Sequence, residues 1–168
     1  VVMNSFYWKP PFKSAREEDL LTSMLSQHFG ERGYPGDFVA SDHYPNVAPG
    51  KWGVANGLSP KYQPDINRLY AIDPKPPVLW IRGDSDQIVS DNSLFDLGTL
   101  GKMGAMPGYP GEDVYPSQPM VGQTRYVLEN DKEAGGDYTE AVLAETGHTP
   151  FIEKPDEFNA LFHAILKG

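Results

Sequence analysis

The stretch "PPVLWIRGDSDQIV", residues 76–89, constrains this chain's fold more than any other. Pro76 and Pro77 break whatever precedes them, and Val78 to Ile81 then run apolar without interruption. A strand with one face in water alternates apolar and polar side chains. A continuous run suits a strand covered on both faces, as in a parallel sheet. The run ends at Gly83 in an acidic turn, and a second strand signal, "YTEAVLAE", begins at Tyr138. Between them lie a Gly/Pro/Met-rich connection, residues 92–119, and "MVGQTRYVLENDKEAGG", which reads as a helix stopped by Gly135 and Gly136. That connection is too long for an ordinary link. Pro155 opens a last helix whose Phe158, Leu161, Phe162, Ile165 and Leu166 recur at helical spacing, which places one face on a core. Strand, excursion, helix, strand, helix is an α/β order with a parallel sheet. Two strands are too few for such a sheet, so the remaining strands are expected from elsewhere.

Residues 1–70 read differently. Residues 1–4 are an apolar stub, taken as the end of a strand, and "NSFYWKPPF" follows, aromatic and broken by proline. Ser14 and Glu17 make a capping-box pattern. Leu21, Met24, Leu25, His28 and Phe29 then follow at helical spacing up to Gly30. Residues 31–64 show no clear period, and "DINRLYAI" reads as a short helix. Sixteen prolines and seventeen glycines concentrate in residues 9–11, 33–64 and 98–119, which favours ordered irregular loops over long regular elements. The expectation is a helical and irregular layer, 1–70, beside an α/β part, 71–168.

Composition removes several classes of function. A formal charge of −9 without a basic cluster argues against nucleic acid and against an anionic membrane surface. No run approaches the ~20 apolar residues needed to span a bilayer. The absence of cysteine removes disulfides and thiolate chemistry. The start, "VVMNSFYWKPP", has neither an initiator Met nor the charged leader of a signal peptide. We read the chain as beginning mid-protein and expect a cytoplasmic location unless an upstream half carries a leader.

In open α/β sheets, functional groups gather beyond the carboxyl ends of the strands. One such end carries Asp84 and Asp86; the other carries His148. A carboxylate that orients a histidine fixes its tautomer and stabilises the imidazolium, so the histidine can take a proton from a nucleophile. "PPVLWIRGDSDQIV" resembles the acid-bearing strand and turn of the α/β-hydrolase family, and "TGHTPFIEKPDEFNALFHAIL" resembles its histidine loop and final helix. The resemblance covers residues 76–168. It implies the C-terminal part of an α/β-hydrolase fold, with residues 1–70 as its cap and residues 92–119 as an insertion. It assigns the acid to Asp86 and the base to His148. Asp84 is then a turn-former and the reserve candidate for the acid.

The family's nucleophile sits in a Gly-x-Ser-x-Gly elbow upstream, and this chain has none. The resemblance therefore implies a heterodimer in which an N-terminal half of the fold supplies the serine. Proteolytic cleavage of a precursor, or two genes, would give such a division. The expected activity is hydrolysis of an ester, amide or related carbonyl substrate without cofactor. An Asp nucleophile, as in haloalkane dehalogenases and epoxide hydrolases, would use the same acid and base. A non-catalytic, hydrolase-like protein that binds a small molecule is the third reading. Phe6, Tyr7, Trp8 and Trp52, in a loop-rich region dense in aromatics, either line a pocket for a small apolar or aromatic substrate or pack an irregular cap onto the core. His28 reads as packing on a helix face, His163 as surface, and His43 with Asp42 or Asp37 has no recognisable metal-ligand spacing. Glu153, Asp156 and Glu157 read as helix N-terminal electrostatics.

Overall fold

The apolar run after Pro76 and Pro77 becomes a strand, and it pairs in parallel with the segment from Tyr138, from Val78 opposite Tyr138 to Gly83 opposite Leu143. The structure, a computed structural model, describes residues 1–167. In chain order its elements are α1 (Glu17–Leu25), β1 (Phe38–Ala40), β2 (Val47–Pro49), α2 (Asn67–Tyr70), β3 (Val78–Gly83), α3 (Leu97–Lys102), α4 (Met120–Glu133), β4 (Tyr138–Leu143), α5 (Pro150–Glu153) and α6 (Pro155–Ile165). β3 and β4 form a two-stranded sheet, and β1 and β2 form a separate antiparallel pair.

Alternation along β3 divides its side chains between two helices. On one face, Arg82 of β3 and Arg125 of α4 both bind Glu140 of β4, at 2.7 and 2.8 Å. Trp80 lies between these guanidinium groups, whose carbons are 5.5 and 5.9 Å from its ring centroid. On the other face, Leu79 and Ile81 meet Phe158, Phe162 and Ile165 of α6 across an open apolar cleft of about 460 Å³. Ahead of β3, Lys75 is tied to Asp131 of α4 by a largely buried ion pair at 2.7 Å. The layers are thus helix, sheet, helix, but the middle layer is two strands wide.

The N-terminal layer departs from its sequence pattern. Residues 1–4 are not a strand: Met3–Tyr7 winds a π-helical turn. No strand among the described residues lies beside this segment, so its backbone pairs with itself, with Ser5 N–H donating to Val1 C=O, while Met3 and Trp8 turn inward to 5% and 2% exposure. The capping box does not form. Ser14 Oγ accepts from Arg16 N–H, and the Glu17 carboxylate accepts from the Asn4 side chain at 2.7 Å. α1 ends at Leu25, short of His28 and Phe29, because the chain reverses there: Tyr34 N–H donates to His28 C=O, and Gly30 N–H to Tyr34 C=O. The β1–β2 hairpin had no sequence signal, its strands being three residues each and largely exposed. One carboxylate oxygen of Asp37 secures it by accepting from Lys51 N–H, Trp52 N–H and the Asn56 amide.

Residues 92–119 contain α3 and close on themselves. One oxygen of Asp96 accepts from Thr99 N–H at 2.7 Å and from Gln118 N–H at 3.3 Å, which joins the insertion's two ends. Its aromatics dock on the N-terminal layer: Tyr115 lies edge-on to Tyr44 at 4.9 Å, and Phe95 to Phe6 at 5.3 Å. No helix of the described residues is long and apolar enough to cross a membrane.

Met3, Trp8, Leu128 and Leu143 are the large buried hydrophobics among the described residues, whereas Leu25, Leu58, Val142 and Phe162 remain exposed. A two-stranded sheet is marginal in water, and an unpaired edge beside an apolar face invites association. The isolated chain is therefore expected to bind a hydrophobic dye and to lack a cooperative calorimetric transition. A monodisperse chain that melts cooperatively by itself would contradict this.

Candidate active site

The sheet brings the ends of β3 and β4 side by side, and the loops that leave them are stitched together. Asp84 N–H donates to Leu143 C=O at 3.1 Å, and Ser85 N–H to Thr146 C=O at 2.9 Å. Gly83 makes this possible: a Cβ there would overlap the carbonyl oxygens of Thr146 and Gly147. Asp84 serves the turn. Its Oδ1 accepts from Ser85 Oγ at 2.8 Å and faces Thr146 N–H at 3.4 Å, so it is turned away from the imidazole.

Asp86 faces the histidine. Its Oδ2 lies 2.9 Å from His148 Nδ1, while its Oδ1 accepts from Ile88 N–H at 2.7 Å and Val89 N–H at 3.0 Å. Both oxygens are therefore engaged, and the Asp86 side chain is only 9% exposed. Burial pushes the carboxyl up, but hydrogen bonds from His148, Val89 and Ile88 together outweigh it and hold the group below the ordinary aspartate value. Ionised Asp86 can only accept, so the nitrogen that faces it carries the proton. The neutral ring is then the Nδ1–H tautomer with a lone pair on Nε2, the form a general base needs. Nε2 makes no hydrogen bond among the described residues.

Asp86 and His148 share a cleft with Trp80, Val89, Val121 and Pro150. Its volume is about 170 Å³, below the ~300–1,000 Å³ of a typical ligand pocket. The cleft is partly open rather than an enclosure.

Of the four aromatics singled out in the sequence, Tyr7 is at the histidine, with ring centroids 6.2 Å apart. Phe6 packs on Phe95. Trp8 is buried against Phe12; its backbone lies under the histidine loop, where a Cβ on Gly147 would come within 2.7 Å of it. Trp52 is 45% exposed and carries Arg32 and Lys51 over its ring. His28, His43 and His163 are exposed. No group of three His, Asp or Glu side chains among the described residues is placed to hold a metal ion.

Two residues at the site carried no sequence signal. Thr149 is buried and donates through Oγ1 to Tyr7 C=O at 2.8 Å. Glu153 sits where a carboxylate ordinarily faces its own helix N-terminus, but it reaches back to Gly147 N–H at 2.6 Å and across to Lys9 N–H at 2.8 Å. Local sequence does not separate these two uses of an acidic residue.

No protein family, curated protein or solved structure matches this chain. The reading of the site rests on its geometry.

A depressed carboxyl contributes stability that is present above its unfolded value, near pH ~3.9, and is lost as pH falls through its lower folded value. The Asp86 carboxyl carbon should accordingly titrate below the ordinary aspartate range by NMR. In His148→Ala the midpoint should rise, since burial persists while the imidazole's opposing contribution is gone. An unmoved midpoint would mean that the imidazole does not act on Asp86.

Proposed function

We propose that this chain supplies the acid and base of an acyl hydrolase with the α/β-hydrolase fold. The nucleophilic serine would lie outside these 168 residues, in the rest of that fold. One observation supports this above the others: Asp86 Oδ2 stands 2.9 Å from His148 Nδ1 at the carboxyl ends of two adjacent parallel strands. That is the geometry expected of the acid-to-base half of a triad, at the position where open α/β sheets gather their chemistry. The sheet, only two strands wide, and the small, partly open cleft agree with a core that further strands complete.

In this reading His148 Nε2 takes the proton of the serine hydroxyl as its oxygen attacks the substrate carbonyl carbon. The imidazolium that forms is stabilised through Nδ1–H by ionised Asp86. His148 then gives its proton to the departing alkoxide or amine. Water, activated by the same nitrogen, hydrolyses the acyl-enzyme. The apolar lining by Trp80, Val89, Val121 and Pro150 favours a small apolar or aromatic substrate.

The test begins with the intact protein from a native preparation. It should carry a serine on a strand-to-helix turn outside these 168 residues, and that serine should react with an organophosphate probe. In the assembled protein, His148→Ala should lower turnover of a small activated ester by at least ~10³, with KM changed far less. Aspartate in the elbow would redirect the reading to dehalogenase or epoxide hydrolase chemistry. Near-parent turnover by His148→Ala would overturn the catalytic reading.

A further inference from the structure

We propose that Glu153 is a positioning residue for His148, acting by fastening the histidine loop to the N-terminal segment 7–9. The proposal rests on the reading of His148 as a general base. The geometry is specific. Glu153 gives one oxygen to Gly147 N–H, the residue before the histidine, at 2.6 Å, and the other to Lys9 N–H at 2.8 Å. On the other side of the histidine, buried Thr149 donates to Tyr7 C=O at 2.8 Å. The residues that flank His148 are therefore both tied to one strip of the N-terminal layer, 142 residues away in sequence for Thr149 and Tyr7.

The strip itself cannot shift freely. Trp8, at its centre, is 2% exposed, and its backbone packs so tightly on Gly147 that no Cβ fits there. Asp86 fixes the imidazole ring, but it does so at Nδ1 alone. A ring held at one atom still swings if its backbone moves. Glu153 holds the backbone, and so sets where Nε2 points. A misplacement of about 1 Å can cost on the order of 10²-fold in turnover, so a carboxylate that never meets substrate can still govern the rate.

The intact native protein allows a direct test. Glu153→Ala removes both acceptors. Glu153→Gln keeps the size but offers one carbonyl oxygen, leaving its amide N–H to face the second backbone N–H. Glu145→Ala is the control, since the exposed Glu145 carboxylate also holds Lys9, but through its side-chain ammonium. Imidazole tautomers are read from ¹H–¹⁵N correlations of labelled histidine, alongside kcat, KM and the melting temperature.

Glu153→Ala should lower kcat by about 10²-fold with KM within about twofold, and should mix Nε2–H tautomer into His148. Glu153→Gln should fall between it and the parent, and Glu145→Ala should match the parent. The proposal is overturned if both Glu153 variants keep the parent tautomer and kcat, even where the melting temperature falls, because Glu153 is then only a staple. If the tautomer responds to Glu153 while His148→Ala leaves turnover intact, the hydrolase reading fails and the positioning stands. If His148→Ala abolishes turnover while the Glu153 variants behave as parent, the positioning fails alone.

Discussion

Everything at the candidate site depends on how closely the end of β3 approaches the loop after β4. Gly83 lies against the Thr146 and Gly147 carbonyls with no room for a side chain, and two backbone hydrogen bonds seal the approach. Asp86 and His148, 62 residues apart in sequence, meet because of this backbone contact. Their side chains complete an arrangement that the main chain has already made. The consequence is a division of labour. Gly83, Asp84 and Thr146 bring the loops together, Asp86 orients the ring, and Thr149 and Glu153 brace the histidine's neighbours.

Apolar burial is scarce in this chain, so polar contacts hold most of its irregular parts in place. Proline- and glycine-rich loops make few ladder hydrogen bonds, yet their N–H groups still need acceptors when partly buried. Carboxylates answer that need repeatedly. Asp37 gathers the hairpin loop, Asp86 the turn after β3, Asp91 the start of α4, Asp96 the insertion and Glu153 the histidine loop. Ionised acceptors make stronger hydrogen bonds than neutral ones. The charge of −9 is therefore partly structural, since several of its carboxylates are spent on backbone N–H groups rather than on solvent.

The α/β part was legible in the sequence because its signals are long and periodic. Val78 to Ile81 marked β3, "YTEAVLAE" marked β4, α4 ends just before the glycines read as its stop, and α6 lies where apolar spacing placed it. The family resemblance named Asp86 over Asp84, and it is Asp86 that lies against His148. The N-terminal layer was legible only in part: α1 and α2 lie where helices were read, but the rest is set by contacts that local pattern does not reveal. Glu17 leaves its helix cap for Asn4, Trp8 is buried under Gly147, and Tyr34 turns back on His28 before α1 can extend. Glu153 and Thr149 escaped for the same reason: their partners, Lys9 and Tyr7, lie at the opposite end of the sequence.

The double use of one Asp96 oxygen has an evolutionary reading. By accepting from Thr99 and Gln118 together, it closes residues 96–118 into a ring whose entry and exit points are fixed relative to each other. Each doubling of a loop's length costs only about 0.6 kcal/mol in closure entropy. The interior of that ring is therefore free to drift in length and sequence while β3 and α4 stay in register. Its Tyr109 and Tyr115, docked against Tyr44, make it a replaceable part of the wall between the insertion and the N-terminal layer. A lineage could retune that wall by exchanging one cassette, leaving the histidine loop untouched.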